Sequence, residues 1–170
     1  MNTSNFHVRP AIAPDVRAIS GLRKPNEGSG RKLLKLELVS LFEKVPEFLV
    51  VVNDSGEVLA AGALHVMWED LAEVRSVIVR DDLRGKGIGH LLVSALLDRA
   101  RALSISRVFC LTFETEFFAK HGFAEISDVP VDSETFAELV RSNDDGVAEF
   151  LDLARVKENT LGNTRMLLNL

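Results

Sequence analysis

Tyrosine is absent from the 170 residues, and cysteine occurs once, at Cys110. A single thiol excludes an internal disulfide and any cysteine-rich zinc site. Its setting in "RVFCLTF" reads as a buried strand position. The histidines His7, His65, His90 and His121 show no metal-ligand spacing, so no metal is expected. No apolar run approaches the length of a membrane span, and the opening "MNTSNFHVRP" has neither the charged start nor the apolar stretch of a signal peptide. A cytoplasmic protein without a membrane partner is the expectation. Basic residues are not in excess: 25 acids stand against 20 bases, interspersed, for a net charge of −5. That balance argues against nucleic-acid binding, and any anionic ligand must be held by a local cluster of cations. Repeats, low-complexity tracts and linkers are also missing, which leaves one domain spanning 1–170.

With 46% hydrophobic and 26% charged residues, the chain has the composition of a globular domain. "FHVRPAI" alternates as a strand, and "APDVRAISGLR" follows as a helix, with Pro14 and Asp15 at its opening and Val16, Ile19 and Leu22 on one face. "PNEGSG" is a breaker-rich loop, and "RKLLKLELVSLFEKV" reads as a second helix ending near Pro46. "EFLVVVN" and "EVLAAGALHVMW" are strands joined by the hairpin turn "NDSGE". "AEVRSVIV" is a strand, followed by a glycine turn and then a helix carrying Ile88, Leu91, Leu92, Ala95, Leu96, Ala100 and Leu103 at helical spacing. "RVFCLTF" is a strand, "ETEFFAKH" a short helix, "GFAEI" a strand, "DSETFAELVRS" a helix capped by Ser133, and "GNTRMLLNL" a closing strand. Strands interleaved with helices define an α/β domain, with a parallel crossover unit at its centre.

That central turn is "RGKGIG", Arg84 to Gly89. Unpaired N–H groups at a helix N-terminus bind anions, and glycines let the backbone approach them closely. Gly85, Gly87 and Gly89 beside Arg84 and Lys86 suit a diphosphate. The Walker A loop is excluded, because the Gly-Lys-Ser/Thr ending is missing. The dinucleotide fingerprint has a different glycine spacing and sits near the first strand of its chain.

"RGKGIG" resembles the Arg/Gln-x-x-Gly-x-Gly/Ala loop of the GNAT superfamily of N-acetyltransferases. "VRPAIAPDVRAI" resembles that family's opening and "FFAKHGF" its late helix-to-strand signature, and the three occur in the family's order. The resemblance implies a mixed, mostly antiparallel sheet with one parallel, splayed strand pair flanked by helices. It implies acetyl-CoA as co-substrate, with the pyrophosphate on Arg84, Gly85, Lys86, Gly87, Ile88 and Gly89. The pantetheine arm would run along the backbone of Val77, Ile78 and Val79, and "EVRSVIV" would part from "RVFCLTF" to admit the thioester. The family's usual acid is a tyrosine four residues before the glycine of "GF"; this chain has Phe118 there. A thiol leaves well enough as thiolate, and Thr112, Thr115 or water is available to assist.

The absent tyrosine and the acidic Glu73 at the start of the strand before the loop resemble N-acetylglutamate synthases. The run "GALHVMWEDLAEVRSVIV" is similar to a short form of that enzyme, without the N-terminal amino-acid-kinase-like domain of the longer members. The expected reaction is acetylation of the L-glutamate α-amino group, the first step of arginine biosynthesis, by direct attack in a ternary complex. Other acceptors remain open, among them glutamine and a protein N-terminus, as does a noncatalytic acetyl-CoA-binding domain. In "EVRSVIV" strict alternation puts Glu73, Arg75, Val77 and Val79 on one face and Val74, Ser76 and Ile78 on the other. Glu73 is either an ion-pair partner of Arg75 or the general base for the substrate ammonium. Burial would raise its pKa, and Arg75 would oppose that shift. A dicarboxylate needs at least two cations; the candidates are Arg23, Arg31, Arg75 and Arg165, with Lys157 weaker. The expected partner is a small-molecule amino acid, with a homodimer left open.

Overall fold

The structure is a computed structural model, and it describes residues 5–27, 33–151 and 163–170, apart from the side chain of Glu149. Strand β1 (His7–Pro10) leads through a 3₁₀ turn at Ala13–Asp15 into helix α1 (Val16–Arg23). Asp15 secures that entry: its carboxylate accepts from the Ile12 N–H at 2.8 Å and takes both Arg9 nitrogens at 2.7 and 3.0 Å. Helix α2 (Leu38–Lys44) is followed by β2 (Phe48–Val52), β3 (Val58–Trp68) and β4 (Leu71–Val79). Helix α3 (Ile88–Ala102) connects β4 to β5 (Arg107–Thr112). Short helices α4 (Thr115–Ala119), α5 (Ser133–Leu139) and α6 (Asp145–Phe150) and strands β6 (Ala124–Glu125) and β7 (Thr164–Asn169) complete the described chain. None of the described helices is long and apolar enough to cross a membrane.

All seven strands join one sheet in the order β1-β2-β3-β4-β5-β7-β6. Every pairing is antiparallel except β4 with β5, the expected single parallel pair. That pair is short. Leu71, Ala72 and Glu73 match Arg107, Val108 and Phe109, and no pairing continues beyond them although both strands run on. The strands therefore part at Glu73, as the resemblance implied.

Three apolar clusters hold the layers. Leu92, Val93 and Leu96 of α3 pack on Val51, Leu64, Val74 and Val108. Val16 and Ile19 of α1, with Leu41 of α2, cover Phe48, Val50, Ala61, Ala63 and Ile78 on the opposite face. Leu139 of α5 and Val147 and Phe150 of α6 meet Met67, Leu71 and Phe109, with the Phe109 and Phe150 rings stacked at 3.9 Å. Each fully buried Leu or Phe contributes about 1.5–3 kcal/mol.

Three expectations are corrected. The second helix begins at Leu38, not at residue 31: the Leu33 N–H bonds Asn26 O at 2.8 Å, and Glu37 is extended. The carbonyl of Leu34 is turned to a side chain, Arg23, at 2.9 Å, which a helix there would have used internally. The α5 cap is Asp132, whose carboxylate accepts from Thr135 N at 2.7 Å, not Ser133, the first helical residue.

The third correction has most bearing on function. Strict alternation along β4 fails at Ser76, where the β3 register slips between Ala61↔Ile78 and Ala63↔Arg75. Ser76 has φ 58°, outside the strand range. A one-residue bulge reverses the parity of everything after it. Before the bulge Ala72 and Val74 face α3, and after it Val77 and Val79 do, while Ile78 joins the α1/α2 face. Glu73 and Arg75 therefore do not share a face with Val77 and Val79.

Candidate active site

The glycine turn closes β4 onto α3. Gly87, at the N-cap of α3, has φ 82°, and Gly85 has φ 76°, conformations that favour glycine over any residue with a Cβ. No described residue lies within 4 Å of where a Cβ would stand at either position, which leaves the backbone open to a ligand on that side. At Gly89 a Cβ would meet the Phe117 ring at 3.2 Å. The turn and the parted strands enclose a cleft of about 500 Å³. Val77, Ile78, Val79, Arg84, Gly85, Gly87 and Gly89 all line it, with Leu111 to Glu114 of the β5 end opposite. Lys86 and Ile88 do not line it; Ile88 is buried beneath the turn in the α3 cluster. Phe118 lies in the cleft wall, edge-on to Phe117 and Phe123, so the position is apolar as well as lacking a phenol. The Thr112 hydroxyl also reaches this cleft, where it accepts from the Glu114 N–H at 2.8 Å. Thr115 is absent from the lining.

A second cleft of about 400 Å³ opens on the other face of β4. It is walled by α1, the segment Leu33–Leu36, α2, β4 and the first turn of α6. Arg75, Ser76, Leu33 and Leu111 line both clefts, so the two join at the bulge. The bulge sends Glu73 to one cleft and the following backbone, Val77–Val79, to the other, with Arg75 between them.

Glu73 is 3% exposed, with Oε2 at 3.7 Å from Arg75 Nη1. Arg75 donates both nitrogens to Asp144, at 2.6 and 3.0 Å. Lys44 bonds the same carboxylate at 2.6 Å. Burial works to raise the Asp144 pKa, but the Arg75 bond and charge outweigh it and hold the carboxylate far below its usual range. Burial pulls Arg75 down, and the charges of Glu73, Asp144 and Glu47 more than reverse it. Arg23, also 3% exposed, bonds Glu27 at 2.9 Å, the Leu34 carbonyl and the Ser76 hydroxyl; its burial lowers its pKa.

Arg23, Arg75 and Glu73 thus come together. Arg165 lines neither cleft; it stands opposite Leu111 on β7 and donates to the Phe150 carbonyl at 3.2 Å. Arg31 and Lys157 lie outside the described residues. Among the described lining residues four bases (Arg23, Lys35, Lys44, Arg75) face five acids (Glu43, Glu47, Glu73, Asp144, Asp145). Asp144, Lys44, Glu47 and Gly146 were not singled out from the sequence. Gly146 is a close-approach position: a Cβ there would collide with Arg75 Nη1 and stand 3.1 Å from Glu73 Oε2. The acid-rich "NDDG" was the available signal, but its partner Arg75 lies 69 residues away from Asp144.

A glycine-turn cleft between a parting parallel strand pair, joined at a bulge to a second cleft holding a buried carboxylate, defines an acyl-CoA-dependent transferase. The chain belongs to the acetyltransferase (GNAT) family, whose model matches residues 18–123. The donor is accordingly acetyl-CoA, and the open backbone at Gly85 and Gly87 fits its pyrophosphate. The chain is 53% identical over 163 residues to the amino-acid acetyltransferase of Mycobacterium tuberculosis (strain ATCC 25618 / H37Rv), covering 95% of this chain and 92% of the relative. The crystal structure of Rv2747 from Mycobacterium tuberculosis, in complex with CoA and NLQ, superposes with TM-score 0.92 at 53% identity, covering 96% of this chain and 99% of that one. The N-acetylglutamate synthase of Neisseria gonorrhoeae, complexed with coenzyme A and N-acetyl-glutamate, shares the fold with TM-score 0.76 at 23% identity; the match covers 99% of this chain and 36% of that longer one.

Proposed function

We propose that the protein acetylates the α-amino group of L-glutamate, with acetyl-CoA as donor, as the first step of arginine biosynthesis in the cytoplasm. The observation that carries this reading is the meeting of the two clefts at Ser76, with Val77–Val79 lining the one and Glu73 the other, which supports a thioester along Val77–Val79 and an amine beside Glu73. The name of the 53% identical relative supports an amino-acid acceptor. Glu73 takes a proton from the ammonium, and the freed nitrogen attacks the thioester carbonyl. Backbone N–H groups of Val77–Val79 hold the oxyanion, and collapse expels the CoA thiolate. The thiolate is then protonated and the nitrogen loses its second proton, so each turnover releases one proton net. Arg23 and Arg75 read the carboxylates, with Arg31 a further candidate.

A second reading is favoured by the ion pairs. Among the described residues Arg23 is matched to Glu27, and Arg75 and Lys44 to Asp144, which leaves these three cations already paired before a second substrate carboxylate arrives. Glutamine keeps the α-carboxylate and has a neutral side chain, and it would suit that balance. A screen of the common amino acids by CoA-thiol release, repeated in an Arg23→Met variant, decides. Glutamate as best acceptor, with a selective loss of glutamate in the variant, supports the first reading; glutamine as best acceptor supports the second. Thiol release with polyamines alone would overturn both.

A further inference from the structure

The buried position of Glu73 raises the question of where its proton goes. Its side chain is 4% exposed and lines only the acceptor cleft, which the bound amino acid would occupy. The strand pairing sets His65 of β3 directly opposite Glu73 of β4, on the same face. Directly opposed residues of an antiparallel pair hold their Cβ atoms about 4.5–5.5 Å apart. His65 Nδ1 donates to Glu47 Oε1 at 2.8 Å. Side-chain exposure rises along this line, from 4% at Glu73 to 18% at His65 and 27% at Glu47. His65 itself lines neither cleft.

His65 meets Glu47 from the turn before β2, stands opposite Glu73 of β4 and feels the charge of Asp144 before α6, while Arg75 and Lys44 act on its partner Glu47. Burial acts to raise the Glu47 pKa, but the His65 bond and the charges of His65, Arg75 and Lys44 win and hold it below its usual range. As a carboxylate Glu47 can only accept, so the bond places a proton on Nδ1, and in the neutral ring Nε2 is the acceptor nitrogen.

We propose that His65 carries the reaction proton from Glu73 to solvent, with Glu47 fixing its tautomer and stabilising its charged form. This rests on the reading of Glu73 as base. The proton taken from the substrate ammonium sits on Glu73; that O–H bond breaks as the Nε2–H bond of His65 forms. Nε2 then gives the proton to water at the partly exposed edge of the ring, restoring carboxylate and neutral imidazole. His65 acts through Glu73 and does not touch the substrate.

The test is His65→Asn, whose amide can still donate to Glu47 but cannot carry a proton. The expected outcome is a kcat lower by about ten- to a hundredfold, with both KM values near wild type. The first turnover should stay fast, giving a burst of about one CoA thiol per site before a slow steady state, because only regeneration of Glu73 is impaired. Added imidazole should raise that steady-state rate in the variant and leave the wild type unchanged. Glu47→Gln, which keeps a neutral partner in place, should show a milder form of the same burst. A wild-type kcat in His65→Asn, or a loss without burst that imidazole does not restore, overturns the relay. Glu73→Gln separates the two ideas: near-normal turnover there sinks the base reading itself. Collapse in Glu73→Gln beside full kcat in His65→Asn sinks the relay alone.

Discussion

Arg75 grips Asp144 with both guanidinium nitrogens, at 2.6 and 3.0 Å, across 69 residues of sequence. This pair docks the first turn of α6 against β4 and makes it a wall of the acceptor cleft. Asp144 also accepts the Val147 N–H at 3.0 Å, so one carboxylate starts the helix and anchors it.

Asp144→Asn removes that anchor, takes the charge partner from Lys44 and leaves Arg75 with only the longer pairs to Glu73 and Glu47, both at 3.7 Å. The expected loss is on the order of 3 kcal/mol at neutral pH, read as a lower Tm. The Asp144 pKa is depressed on folding, so its stabilisation is complete above the ordinary carboxylate range and is lost as pH falls below about 4. Wild type should therefore lose stability more steeply than the variant on acidification. Equal slopes in thermal melts across that range would count against the pairing.

Gly87→Asp places bulk and negative charge where the pyrophosphate is expected, at a backbone φ of 82°. The KM for acetyl-CoA should rise about tenfold or more while the acceptor KM stays within about twofold. Steady-state kinetics with each substrate varied in turn checks this. An unchanged acetyl-CoA KM in a folded variant removes the loop from the donor site.

Gly146→Ala should do the converse. Its Cβ would press on Arg75 and stand 3.0 Å from Asp144 Oδ1, so the acceptor cleft must shift. The acceptor KM should rise about tenfold and the acetyl-CoA KM should hold. If both constants stay at wild-type values, α6 is not part of the acceptor wall.

Glu73→Gln retains shape and removes the base. A fall in kcat of about 10²–10⁴-fold is expected, with loss of the acid limb of the pH–rate profile. A small fall with an unchanged profile makes Glu73 an ion-pair partner of Arg75 and no more.

The parts of the molecule legible in the sequence are those fixed by local pattern. The "RGKGIG" turn, the α3 periodicity and the strands β2 to β5 each carry their signal within a dozen residues. The bulge at Ser76 could not be read, because alternation looks regular in "EVRSVIV" until β3 is paired against it. For the same reason Val77 and Val79 were placed with Glu73. The early start assigned to the second helix overlooked the demand of Arg23 for the Leu34 carbonyl, a tertiary contact. Arg165 carries the same charge as Arg75, and only the fold shows it bonded to the Phe150 carbonyl and outside the lining of both clefts.

The central claim is that the acceptor's α-nitrogen attacks the acetyl carbonyl directly at the junction of the two clefts. Acetyl-CoA labelled with ¹³C at the carbonyl, incubated with glutamate or glutamine labelled with ¹⁵N at the α position, tests it by NMR of the product. The account predicts a one-bond ¹³C–¹⁵N coupling in the N-acetyl amino acid, formed in step with CoA thiol and with no labelled acetyl retained on the protein. Release of CoA without that coupling, or acetyl label recovered on the protein chain, would contradict it.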